Sequence, residues 1–213
     1  MPGNTFINHS SYQGRLKENT QLGAELIGLD TIEADAELIA MVVDGLKKVG
    51  LTEFQVNIGH VDFIQSLMNA ADLNEEETKE IRELITNRNY FGVDELLDSR
   101  KVKETVKEAF HILPELAGGE EVLEKALLAA PDLTARLAVT RLQHIYHLLK
   151  LYGAEEHVTF DLSMIGSYGY YTGIIFRGYT YGTGDAIGKG GRYDNLLAQF
   201  GKEASASGFT ILI

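Results

Sequence analysis

Apolar residues along this chain recur with two different periods, and the change from one to the other organises it. Thr20 to Ile27 is compatible with a strand, and a helix is predicted to start near Asp30 or Thr31, where Asp30 and Glu33 stand at capping-box spacing. Leu38, Ile39, Val42, Leu46 and Val49 then recur at helical spacing, which predicts one buried helix face. From Phe54 the period drops to two: Phe54, Val56 and Ile58 alternate with polar neighbours, a half-buried strand ending at Gly59–His60.

Between Val61 and Gly153 strand signals are scarce and helical patterns dominate. Leu123, Ala126, Leu127 and Ala130 share a face, as do Ala138, Leu142, Ile145 and Leu149 in a longer helix begun by Pro131–Asp132. Strand patterns return at Val158–Leu162 and Tyr170–Tyr181, followed by a glycine-rich turn, a strand at Ala186–Gly188, a short helix from Arg192 and a last strand near Gly208–Ile213. The prediction is an α+β fold: a discontinuous sheet domain from residues 1–60 and 154–213, with an all-helical module, 61–153, inserted between its halves. The apolar tail GFTILI reads as an unpaired strand, so the chain is expected to be a fragment of a longer one.

Composition narrows the function classes. With 213 residues and 45% hydrophobic content, the chain can bury a large core. Asp plus Glu outnumber Lys plus Arg by 31 to 19, a net charge of −12 with no basic cluster in the sequence, which argues against nucleic acid. The absence of cysteine removes disulfides, thiolate metal sites and cysteine nucleophiles, and fits a reducing compartment, so the cytoplasm is the expected location. The sequence shows neither a secretory signal nor the run of about 18 apolar residues that a membrane span needs.

The chemistry concentrates in Gly166–Gly201, GSYGYYTGIIFRGYTYGTGDAIGKGGRYDNLLAQFG, where a tandem tyrosine is followed by a glycine-rich hairpin delivering Arg192, Tyr193 and Asp194. This segment resembles the histidine-specific signature and the approach to motif 3 of histidyl-tRNA synthetases. Near the amino terminus, Gly14 to Glu25 is similar to the second half of motif 2 of the same class II synthetase family. On spacing alone, Gln21 and Glu25 are simply two residues on the same side of a strand. The resemblance implies that they receive the α-amino group of histidine, a suitable task for a carbonyl and a carboxylate facing three N–H donors. It likewise implies that Tyr171 and Tyr193 wall the imidazole, with Tyr170, Arg177 and Arg192 as possible secondary contacts. Ala34–Glu37 matches the family's acidic helix start, although a helix dipole already accounts for Asp35 and Glu37.

Departures from the family pattern sharpen the reading. Where the family has the arginine of motif 2 after a phenylalanine, Phe6 is followed by Ile7, and His9 replaces the glutamate two residues beyond. Gly166 and Gly169 stand where the histidyl signature has its arginine and aspartate. Adenylation needs cationic groups around the reacting phosphate, so these losses predict that the chain does not activate an amino acid. A retained amino-acid pocket without that chemistry resembles the regulatory subunit of the short-form ATP phosphoribosyltransferase. The resemblance then implies a non-catalytic protein of histidine biosynthesis, with the short catalytic subunit as partner, histidine as effector, self-dimerisation when full length, and no metal or cofactor. Motif 1, the first strand of motif 2 and the end of motif 3 are expected to be missing. A working histidyl-tRNA synthetase and a paralogue that binds another molecule are the alternatives. Gly182–Gly188 opens no helix as a dinucleotide fingerprint would, Gly188–Lys189–Gly190 lacks Walker A spacing, and His144 and His147 have no carboxylate at metal-motif spacing.

Overall fold

The computed structural model describes residues 1–7, 17–166 and 169–213. His9 and Gly14–Leu16 of the motif-2-like stretch, with residues 167–168 of the signature, lie outside the described residues.

Among the described residues, eight strands form one sheet: β1 (Pro2–Phe6), β2 (Glu18–Ile27), β3 (Phe54–His60), β4 (Ala117–Gly118), β5 (Val158–Asp161), β6 (Ile174–Thr180), β7 (Gly188–Arg192) and β8 (Ala206–Leu212). Their order is β1-β2-β8-β7-β6-β3-β5-β4, antiparallel throughout except for the parallel pair β3–β5. The expected α+β class is present. Two expectations are corrected. β1 pairs antiparallel with β2, so β2 has a hairpin partner where a first strand was expected to be missing. The apolar carboxyl-terminal segment is not an unpaired strand either: β8 is hydrogen-bonded to β2 on one side and β7 on the other, a pairing between segments too distant in sequence for periodicity to reveal.

Helix α1 (Ile32–Lys48) is capped by Thr31, whose hydroxyl accepts from the Ala34 N–H at 3.2 Å, and carries Glu33 and Asp35 in its first turn and Lys47 and Lys48 in its last. Leu38, Ile39, Val42 and Leu46 are buried as their spacing predicts, but Val49 caps the carboxyl end and is exposed. Residues 61–151 supply α2 (Val61–Ala71), α3 (Glu75–Thr86), α4 (Tyr90–Ser99), α5 (Glu104–His111), α6 (Glu121–Ala129) and α7 (Leu133–Leu151). Asp132 caps α7 through a 2.8 Å bond from the Ala135 N–H, and Ala138, Leu142, Ile145 and Leu149 are all buried. Leu123 and Ala126 of α6 are buried too, with Leu127 and Ala130 half-buried.

α1 and α7 pack on one another and on one face of the sheet. Val56, Ile58, Phe160, Ile174, Phe176 and Phe209 point into that layer, so their alternating neighbours Gln55, Asn57, Arg177, Thr210, Glu25 and Gln21 face the other way. Polar side chains therefore gather on the open face.

Candidate functional site

Cross-strand register lines the open face with rows of residues. One row runs Glu25, Gly208, Gly191, Ile175, Gly59 across β2, β8, β7, β6 and β3. Three of the five lack side chains, so the row is a trough, filled from its own end by Glu25 and from outside by Tyr171. The Glu25 carboxylate lies on Gly208, where a Cβ would collide with it. The Tyr171 ring lies on Gly191, 2.7 Å from where a Cβ would sit. The strand expected at Ala186–Gly188 runs instead over Gly188–Arg192, where β6 and β8 pair with both its edges and its missing side chains leave room for these groups.

Tyr193 donates a hydrogen bond from its phenol to Glu25 Oε2. Tyr170 meets Tyr193 edge-on at 5.7 Å between centroids and Tyr171 at 4.6 Å. The two tandem tyrosines do not open strand β6 as expected but precede it in a turn. That turn is anchored by the Thr172 N–H donating to the Arg192 carbonyl at 2.8 Å and by the Asp194 N–H donating to the Thr172 hydroxyl at 2.9 Å. Partial withdrawal from water pushes the Glu25 carboxyl above its ordinary value. The result is an aromatic wall beside a carboxylate, suited to a cation with a flat apolar body.

Tyr171 also lines a cavity of about 350 Å³ with Asp62, Gln65, Arg82, Gly166 and Asn195. Burial, and secondarily Asp132, pushes Asp62 up. Arg82 donates to Gln65. Asp62, Arg82 and Asn195 gave no signal in the sequence, since helices α2 and α3 bring the first two to the sheet from outside any motif.

The remaining expected residues fall elsewhere. Gln21 lies on the same side of β2 as Glu25 but opposite Leu212, about 14 Å further along the strand at 3.4 Å per residue. Arg177 lines a different cavity, with its Nη2 donating to the Ile165 carbonyl at 2.8 Å. Arg192, expected as a ligand contact at the start of a helix, is instead the end of β7 and is 2% exposed. Its Nε and Nη2 donate to Asp35 Oδ1 at 2.9 and 2.7 Å, and its Nη1 to the Leu29 carbonyl and Asp194. The short helix is a 3-10 turn at Leu197–Phe200. Asp35, read from sequence as a dipole partner, is fully buried, and its second oxygen takes Arg141 Nε at 2.8 Å. It ties β7 to α1 and α7 and leaves the Arg192 guanidinium committed to the fold.

A family model described as histidyl-tRNA synthetase matches residues 2–213. A curated relative from Acetivibrio thermocellus is 40% identical over 209 residues, which is 98% of this chain and 50% of its own length. One from Clostridium acetobutylicum is 37% identical over 211 residues, 98% of this chain and 52% of its own. Both are named ATP phosphoribosyltransferase regulatory subunit. A solved structure described as an ATP phosphoribosyltransferase regulatory subunit/histidyl-tRNA synthetase from Bacillus halodurans superposes with a TM-score of 0.90 at 35% identity, covering 99% of this chain and 55% of that one. The chain spans about half the length of the curated relatives it matches.

Proposed function

The chain belongs to the histidyl-tRNA synthetase family, and we propose that it serves as part of a non-catalytic regulatory subunit of ATP phosphoribosyltransferase, sensing histidine for a short catalytic subunit. The single observation that carries this reading is the Glu25–Tyr193 pair lying on the Gly208 floor with Tyr170 and Tyr171 beside it. An ammonium group has three donors for the Glu25 carboxylate to accept, and the tyrosine wall takes a flat, partly polar ring. Gln21, on the same face of β2, is the second acceptor proposed for the ammonium, its side chain extending along the strand towards Glu25. Support for the regulatory role comes from the names of the relatives at 37–40% identity.

Ile7 and Gly166 support the non-catalytic half of the proposal. They occupy the positions where the synthetase pattern has the two cations that stabilise the adenylation transition state, and neither supplies charge. Occupancy of the pocket passes to the catalytic subunit as a coupling free energy of about 1–3 kcal/mol, the ordinary scale for linked sites.

Calorimetry with free histidine tests the sensor. Heat of binding that disappears in Glu25→Ala supports it; no heat in the parent chain, or equal heat in the variant, rejects it. Histidine-dependent pyrophosphate exchange with ATP would reject the non-catalytic assignment, and co-purification with a short ATP phosphoribosyltransferase chain tests the partner.

A further inference from the structure

We propose that Arg82, a residue of α3 outside every motif, binds the carboxylate of the amino acid and makes the site selective for a zwitterion. This deepens the histidine reading above and rests on it. A free amino acid brings a negative charge as well as an ammonium, and Glu25, Gln21, Tyr170, Tyr171 and Tyr193 offer no cation to meet it. Arg192 is committed to Asp35, Asp194 and the Leu29 carbonyl, and Arg177 lines the other cavity. Among the described residues that line the cavity beside Tyr171, Arg82 is the one cation.

Tyr171 joins the two halves. Its ring lies over Gly191, which pairs with Gly208 beneath Glu25, so the carboxylate and the ring stand one strand apart, about 5 Å. The same tyrosine lines the 350 Å³ cavity, whose volume suits a small ligand and whose Gly166 and Gly169 add no side chain to fill it. Arg82 is half-buried there, and its Nη2 donates to Gln65 Oε1, a neutral acceptor. Gln65 in turn donates to Asn69 Oδ1 at 2.9 Å, which turns its own oxygen to the arginine. Among the described residues no carboxylate lies within 4 Å of this guanidinium. The fork is held in place by an amide and keeps donors for a carboxylate, which it grips in pairs. Asp62 lines the same cavity with its side chain 42% exposed. The His60 Nδ1 that stands 3.8 Å from it accepts from the Asp62 N–H and so brings no proton to the carboxylate. A bare anion would meet the Asp62 charge in this cavity, whereas a zwitterion carries the positive group that offsets it.

The probes are L-histidine, histamine, which lacks the carboxylate, and imidazole-4-propionate, which lacks the ammonium, titrated into the chain by calorimetry at fixed ionic strength. Histidine is expected to bind at least about tenfold more tightly than either analogue. Arg82→Gln is expected to weaken histidine about tenfold and to leave histamine unchanged, so that the preference between them disappears. A purely structural role for Arg82 would weaken both ligands alike, and that result overturns the proposal. Should Arg82→Gln fail to fold, Arg82→Lys decides: it keeps the charge and loses the fork, and an unchanged preference for histidine over histamine counts against Arg82. Undiminished histidine affinity in Arg82→Gln, with the heat still lost in Glu25→Ala, overturns this inference alone. Absence of heat in the parent chain overturns it together with the histidine reading.

Discussion

Asp35 and Arg192 are joined in the interior by two hydrogen bonds, 2.9 Å from Nε and 2.7 Å from Nη2, converging on one carboxylate oxygen of a residue with no exposed surface. Removing one member of such a pair strands the other charge where water cannot reach it. Asp35→Ala is expected to destabilise the chain by about 3–5 kcal/mol, measured by urea unfolding, because Arg192 and Arg141 both lose the fully buried carboxylate they share, leaving Arg192 with Asp194 and Arg141 with Asp30. A change below about 1 kcal/mol would show that the guanidiniums find other acceptors.

Gly208 marks the floor of the tyrosine site. Gly208→Ala places a methyl in the space of the Glu25 carboxylate and 2.7 Å from the Ala24 carbonyl. The expected result is loss of histidine binding together with about 1–3 kcal/mol of stability. Gly3→Ala, with nothing within 4 Å, is the control and should shift the melting midpoint little.

His60 makes stability depend on pH. Burial first, and then the positive fields of Arg141 and Arg192, push its pKa down from 6.5 to about 4. Its Nδ1 accepts from the Asp62 N–H at 3.3 Å and caps α2, so the folded state holds the neutral ring. Above pH 6.5 both folded and unfolded chains carry it neutral. As pH falls from 6.5 towards 4 the unfolded chain binds a proton that the fold refuses, and up to about 3 kcal/mol is lost. His60→Asn keeps a capping side chain and should flatten this slope in urea titrations across that range.

Glu25 gives ligand binding a different dependence. Its carboxyl is raised above its ordinary value by burial and must be ionised to accept an ammonium. Histidine affinity is therefore expected to fall with acidification, with its midpoint above the usual carboxylate range. Glu25→Gln removes the charge and should abolish this dependence together with most of the affinity.

Local signals in the sequence carried the elements that depend on local physics. Asp132 heads α7, the spacing of Leu38 to Leu46 gives the buried face of α1, and strand alternation sets Gln21 and Glu25 on one side of β2. Glu25 and Tyr193 were legible through motif resemblance and do meet. What periodicity could not reach was contact between distant segments. Asp35 lies 157 residues from Arg192, and its sequence context, an acidic residue in a first helical turn, has an adequate explanation without any partner. Arg177 and Lys189 face each other only because β6 and β7 pair, and Arg88 reaches Asp161 only because α3 ends beside β5. The strand expected at Ala186–Gly188 lies instead at Gly188–Arg192, where its two neighbouring strands hold glycines that carry little strand preference of their own.

The position of β8 has a consequence for how the chain is made. The β1–β2 hairpin touches the rest of the sheet only through β8, which is synthesised about 180 residues after β2 at register pairs such as Glu25–Gly208. A nascent chain on the ribosome must therefore carry that hairpin undocked, its open edge exposed, until β8 has left the exit tunnel. Closure is a late, long-range step, and during translation this edge is where wrong pairings and chaperone capture concentrate.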